Sequence, residues 1–327
     1  MTRRSVIALI ACAAVLAALP AIIRHEFYIN MASQVLIYAL FALSVNMMLG
    51  FGGMVSLGHA GYLGIAGYTC ILLTVAGYGQ LTAAVAAVAL STAAAALFGV
   101  LSLRAPGLGF IMITLALGQI VWGVAYRANR LTGGDNGITH PGRPMPFGFD
   151  IRDGSSFYYF TLVVFAVALF FIWRFARSPF GASLTGARDQ PRRMRMLGHN
   201  VWLIRWITFV MAGFWGSVAS ILYVYYNVFL SPHALSLQQS AEILLMAILG
   251  GASTLTGPVV GAVIITLVKN VVSTYVERWN ILLGAIFVVV IMFMPYGLVP
   301  GCRQLWRRLV SRRKGKLGPD RASEPAQ

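Results

Sequence analysis

Few side chains in this 327-residue sequence could do chemistry, and most of them are arginines: 25 Lys and Arg stand against nine Asp and Glu, a net charge of +16. The lysines are Lys269, Lys314 and Lys316. None lies in a G-x-x-x-x-G-K-[ST] setting, so the chain has no phosphate-cradling loop and binds no ATP of its own. Within apolar stretches the candidates for an ion relay are His59 and Glu242, near segment ends, and Lys269. That is too thin a set for a proton or sodium relay, and it holds no convergent His/Asp/Glu constellation for catalysis. Glu242 reads as a helix N-terminal residue complementing the dipole. Cys12, Cys70 and Cys302 are widely spaced, with no disulfide framework, C-x-x-C or zinc spacing.

Two glycine clusters resemble one another. Gly52-Gly53-Met54-Val55-Ser56-Leu57-Gly58-His59-Ala60-Gly61 and Gly250-Gly251-Ala252-Ser253-Thr254-Leu255-Thr256-Gly257-Pro258-Val259-Val260-Gly261 share a glycine pair, then a Leu, then two spaced glycines. Gly-interrupted apolar segments in two halves of a chain point to a substrate path built by repeats, with Gly52, Gly53, Ser56, His59, Gly250, Gly251, Thr256 and Gly257 as its candidate residues. Small-residue faces for close helix packing explain the same glycines, and the two readings are compatible. His59 either lines such a path or bonds to neighbouring backbone.

The informative polar segment is 178–202. Asp189 as N-cap, Pro191 in the first turn and Gly198 as a stop predict a short exposed helix over about 189–198. Met194, Met196 and Leu197 among arginines give it no membrane face and make it a knob for a partner protein; a basic loop on anionic headgroups would explain the arginines alone.

These residues must be positioned by membrane-spanning helices. Apolar residues make up 58% of the chain and charged residues 10%, against about 25% charged in soluble domains. Apolar segments near 5–23, 29–49, 58–76, 81–103, 108–126, 157–173, 203–226 and 280–299 predict about eight spans. The first follows Thr2-Arg3-Arg4 and is long for a signal peptide, so it is read as a retained helix. Alternating sides place Arg104, Arg174, Arg177, the 188–205 arginines and the basic tail 303–327 in the cytoplasm with both termini, as the positive-inside rule requires. The +16 charge therefore marks topology rather than nucleic-acid binding. The tail reads as a partly disordered end against the anionic inner leaflet.

That orientation forces residues 240–270 to enter and return on one side. As helix they span at most about 46 Å, whereas two crossings need about 60 Å plus a turn. Two half-helices near 240–249 and 258–269 are expected, meeting at a Gly-rich turn inside the membrane. The fold class is thus an all-α polytopic membrane protein of about eight spans plus a half-helix pair, with pseudo-repeat halves.

The motifs above, with Arg104-Ala105-Pro106-Gly107-Leu108-Gly109-Phe110, Thr114-Leu115-Ala116 and Leu131-Thr132-Gly133-Gly134-Asp135-Asn136-Gly137, together resemble the LivM-type permeases of branched-chain amino acid ABC importers over roughly residues 30–300. The segment 178–202 is similar to that family's coupling segment, G-x-x-x-x-A-I-R-x-x-x-x-A-x-x-x-G. Gly181, Ala187, Arg188 and Gly198 match it, Asp189 follows the matching arginine, and Pro191 with Arg192-Arg193-x-Arg195 departs from it. The resemblance implies an inner-membrane permease domain over 1–302 that pairs with a LivH-like permease. It also implies two cytoplasmic ATPases docked on the coupling helix and a periplasmic binding protein that delivers substrate. No cofactor is implied, since ATP would be used by the partners. The outer loop 127–156 is either a docking surface for the delivery protein or a solvated connection. Urea, short amides or other amino acids are alternative substrates within the family, and an ion-coupled carrier is the rival outside it.

Overall fold

The computed structural model describes Pro20, residues 25–142, 153–252 and 254–275, and scattered positions between 281 and 301. The expected span 5–23, most of 280–299, the loop residues 143–152 and the tail 303–327 lie outside the described residues.

Helix α1, Glu26–Asn46, runs without a break into a π-turn, Met47–Phe51, giving 26 residues or about 39 Å. From Leu36 to Met48 every side chain is buried, which is the burial expected of a helix apolar on all sides at the centre of a bundle. Around it pack α5 (Gly154–Ala176), α8 (Val201–Asn227), α9 (Leu237–Gly250) and α10 (Thr256–Tyr275). A second group joins α2 (His59–Val75), α3 (Gln80–Ser102) and α4 (Leu108–Arg127), with α8 shared between the two groups. Two short helices, α6 (Pro179–Asp189) and α7 (Pro191–Met196), connect α5 to α8. Among the described residues five helices, α1 with its π-turn, α3, α4, α5 and α8, are long and apolar enough to cross a membrane. The protein is an all-α, multi-pass membrane protein.

Side-chain size sorts the helix faces. Along α3 the buried positions are Ala83, Ala87, Ser91, Ala95, Gly99 and Ser102, while Leu81, Val85, Leu90, Leu97 and Leu101 face outward. Small residues let neighbouring backbones approach where lipid offers no hydrophobic drive to associate. Hydroxyls then bridge the helices: Ser217 donates to Ser91 at 2.7 Å, Ser220 to the Leu63 carbonyl at 2.6 Å, and the Trp206 indole to the Ala96 carbonyl at 2.9 Å.

The segment 240–270 folds as two helices joined at the glycine turn, with wider bounds than the expected 240–249 and 258–269. Helix α9 has 14 residues, about 21 Å, and falls short of a 30 Å core; α10, Thr256–Tyr275, is likewise not among the five helices long and apolar enough to cross. The sequence reading ended both arms at polar residues that are in fact helical. Gln238 and Gln239 sit on α9, and Asn270 on α10 donates to Gln34 of α1 at 3.0 Å. On the other side of α9 the chain leaves α8 at Val228, one residue in left-handed backbone (φ 55°). It continues through a two-residue strand β2 (Phe229–Leu230), paired antiparallel with β1 (Ile138–Thr139), and a 3-10 turn, Pro232–Leu235.

Candidate functional site

The segment 178–200 is built differently from its sequence reading. Asp189 was expected to cap a helix; instead it ends α6, and Gln190 takes the cap position of α7 without a side-chain hydrogen bond. The cause lies upstream. Ser178 accepts from the Gly181 amide at 3.2 Å and Pro179 fills the first helical position, so an 11-residue helix already runs from Pro179 to Asp189. Gly198 does stop α7. It adopts φ 83°, its amide reaches the Arg195 carbonyl at 3.0 Å and the His199 amide reaches Met194 at 3.1 Å, the paired bonds of a Schellman turn. The knob is exposed, with Met196 at 88% and Leu197 at 68% of full accessibility, while Met194 folds back onto Gly186.

Arg188 leaves α6 toward the bundle. Its Nη1 donates to the carbonyl of Gly50 in the π-turn, its stem lies over Gly53, and its Nε bonds Asp189 at 2.8 Å. The ion pair is largely solvated and contributes little stability, so the contact that positions Arg188 is the one to Gly50. Gly53 has φ 65°, and a Cβ there would stand 2.6 Å from Cγ of Arg188. The same helix is held from α8 by Arg205, which donates to the Ala187 carbonyl at 3.1 Å. A π-turn widens the helix and turns carbonyls out of register, leaving them open to partners such as this guanidinium.

The π-turn in turn touches the second glycine cluster. Asn46 donates to the Thr254 carbonyl at 3.0 Å, and Gly50 lies directly against the Ala252 carbonyl, where no side chain fits. Thr254 closes the turn by accepting from the Gly257 amide at 3.0 Å, and Gly251 needs the φ of 114° that it adopts. Across the hairpin Gly250 abuts Gly257, and Gly261 abuts the Met246 carbonyl. The two clusters thus meet each other beside α6, at one end of the bundle. In the first cluster Ser56 is buried and accepts from Gly58 at 3.4 Å, and Gly58 packs on Thr114 and Gly118 of α4. His59 is fully buried, edge-on to Tyr62 at 5.2 Å and beside Gly216, with no hydrogen bond in good geometry to either ring nitrogen. Thr256 begins α10 on an exposed position.

Glu242 is not a solvated helix-end residue. It lies in the second turn of α9, 3% exposed, and both its carboxylate oxygens accept from Nζ of Lys269 on α10 at 3.0 Å. The pair faces a cavity of about 310 Å³ under the α8–α9 connection, at the end of α8 opposite to α6. Sequence reasoning passed over this pair, and over Asn46, Gly50 and Thr254. The available signal was a pair of opposite charges, one on each arm of the expected hairpin.

Residues 27–291 match the family described as branched-chain amino acid transport system / permease component. The chain belongs to that family. It is similar to the high-affinity branched-chain amino acid transport system permease protein LivM of Salmonella typhimurium, with 26% identity over 312 residues covering 88% of this chain and 73% of that protein. LivM of Escherichia coli K12 is 26% identical over 299 residues, 84% of this chain and 70% of that protein. LivH of the same organism, the high-affinity system's other permease protein by name, is 22% identical over 80% of this chain and 91% of its own length. No solved structure matches the chain. The matched region takes in both glycine clusters, α6 with Arg188, and the Glu242–Lys269 pair, so all of these features belong to this permease component's own domain.

Proposed function

We propose that the chain is the transmembrane permease subunit of an ATP-driven ABC importer that passes branched-chain amino acids across the bacterial inner membrane. In this reading it pairs with a LivH-like permease, two cytoplasmic ATPases grip α6 and α7, and a periplasmic protein delivers substrate to the opposite end. Both termini then lie in the cytoplasm. ATP is consumed by the partner subunits, and this chain contributes the path and the linkage.

The observation that carries the reading is the continuous contact from α7 to the hairpin. Met196 and Leu197 offer an apolar knob in an otherwise basic segment. Force applied there reaches Arg188 through α6, then the Gly50 carbonyl, then Asn46 and Thr254. α1, α9 and α10 would therefore follow α6 as packed bodies when the ATPases close. Rigid-body rocking of helices about an interface is the ordinary form of such transitions. Close backbone contacts at Gly50, Gly250 and Gly261 leave little slack to absorb the motion locally.

The test is uptake of L-leucine into liposomes holding the complete complex, with the delivery protein outside and ATP inside. Uptake that requires ATP, and that a proton or sodium gradient cannot replace, is expected. Gradient-driven uptake without the ATPases would overturn the reading.

A further inference from the structure

The Glu242–Lys269 pair is costly where it stands. Glu242 is 3% and Lys269 25% exposed, and a pair drawn this far out of water loses hydration that mutual attraction does not reliably repay; ionisable groups inside membrane bundles face cavities that use them. Here the cavity is present. Its wall carries Tyr38 from α1, Tyr223 from α8 and Gln239 from α9 beside the pair. Lys269 Nζ stands 5.7 Å from the centre of the Tyr38 ring. Gln239 is 92% buried, and its side chain lies against the Tyr38 hydroxyl without a hydrogen bond of good geometry from its amide nitrogen. The non-helical chain between α8 and α9, including Ser231 and Ser236, lines the cavity at the end of α8 away from α6.

We propose that this cavity is a binding site for the zwitterionic head of an α-amino acid, which Glu242 and Lys269 hold by exchanging their mutual ion pair for two pairs with the ligand. The ligand ammonium goes to the Glu242 carboxylate and the ligand carboxylate to the Lys269 ammonium, with the Gln239 amide beside them on the cavity wall. The charge count supports a zwitterion specifically. The pair is neutral in sum, and a neutral ligand that carries both signs leaves the buried site neutral after the exchange. A pure cation or anion would strand one protein charge beside an unbalanced partner, which is the expensive case. An uncharged amide would have to break the pair and replace neither half. The cavity volume, about 310 Å³, sits at the lower end of the roughly 300 to 1,000 Å³ of small-molecule sites and suits an amino acid rather than a peptide. The Tyr38 and Tyr223 rings supply apolar surface for an aliphatic side chain.

The proposal rests on the reading of the chain as an amino-acid permease, and the experiment separates the two. The complete transporter in nanodiscs, without delivery protein, is titrated with radiolabelled L-leucine in equilibrium dialysis. L-leucinamide, which lacks the carboxylate, and 4-methylvalerate, which lacks the ammonium, are the competitors. Binding of leucine with at least about tenfold weaker competition from each analogue is expected. The double variant Glu242→Gln/Lys269→Met removes both charges together, and so avoids the stranded charge of either single change. It should bind leucine at least about a hundredfold more weakly, and uptake from saturated delivery protein should fall in step. The charge-swapped Glu242→Lys/Lys269→Glu keeps the neutral pair, guards against a folding defect in the first variant, and should recover binding in part. Equal competition by either analogue, or wild-type leucine binding and uptake in the double variant, would overturn the site. ATP-driven uptake by the unaltered complex answers the permease reading separately: if that uptake is present and the double variant behaves as wild type, the site alone is wrong.

Discussion

Replacing Gly261 by alanine tests whether the hairpin is held by backbone contact. A Cβ at this position would sit on the Met246 carbonyl oxygen and 3.0 Å from the Gly250 amide nitrogen, both backbone atoms that cannot rotate away. Restoring an ordinary carbon–oxygen separation requires α9 and α10 to part by about 1.5 Å at that point, and a gap of 0.5–1 Å already forfeits roughly a quarter to a half of a dispersion contact. Overpacking of this kind costs about 1–3 kcal/mol. Gly123 on α4 supplies the control, because a Cβ there meets nothing within 4 Å. Both substitutions gain about 1 kcal/mol of helix propensity, so the difference between them isolates the contact. Thermal unfolding of both variants in one detergent at one scan rate should give an apparent midpoint several degrees lower for Gly261→Ala than for Gly123→Ala, with Gly123→Ala at or above wild type. If Gly261→Ala is as stable as Gly123→Ala, the tight hairpin is not what holds α9 to α10.

Changing Met196 and Leu197 together to serine should leave the unfolding midpoint unchanged, since both are exposed, but should lower recovery of the ATPases at least tenfold in co-purification. Ser178→Ala removes the side-chain cap of α6 and should cost about 1 kcal/mol locally, seen as faster amide exchange over 179–189 with the rest of the bundle unaffected. His140 in the loop beyond α4 is pushed below the ordinary imidazole value, first by burial and against a hydrogen bond to the Gly142 carbonyl. The folded state therefore binds fewer protons there than the unfolded chain. The neutral ring's share of stability is complete above about pH 6.5 and declines as the pH drops below it. Unfolding midpoints at pH 7.5 and 5 should differ more in wild type than in His140→Gln.

The spans α1, α3, α4, α5 and α8 were legible because each is a long apolar run, and a bilayer demands such runs whatever the helix packs against. The helix α6 was not, because Gly181, Ala182, Gly186 and Ala187 carry no apolar period, and its only strong signal is the Ser178-Pro179 start. The stop at Gly198 was readable because only a residue tolerant of φ near 83° ends a helix that way. The glycine clusters were recognisable as special, but their meeting point was not. The contacts of Gly50 with Ala252 and of Asn46 with Thr254 join residues some two hundred positions apart, and nothing local encodes them. For the same reason Glu242, taken alone, resembled a helix-end charge. Its meaning depends on Lys269 standing opposite it across the hairpin.

The central claim is that α6 and α7 drive the bundle through Arg188, and the most direct measurement is L-leucine uptake per ATP hydrolysed, in liposomes, for wild type, Arg188→Ala and Arg188→Lys. Arg188→Ala leaves the Gly50 carbonyl without its donor, at a cost of about 1–3 kcal/mol, which leaves insertion and assembly intact. Uptake per ATP should fall at least tenfold in Arg188→Ala, and less in Arg188→Lys, which keeps a charge without the planar fork. Wild-type uptake per ATP in a fully assembled Arg188→Ala complex would contradict the account.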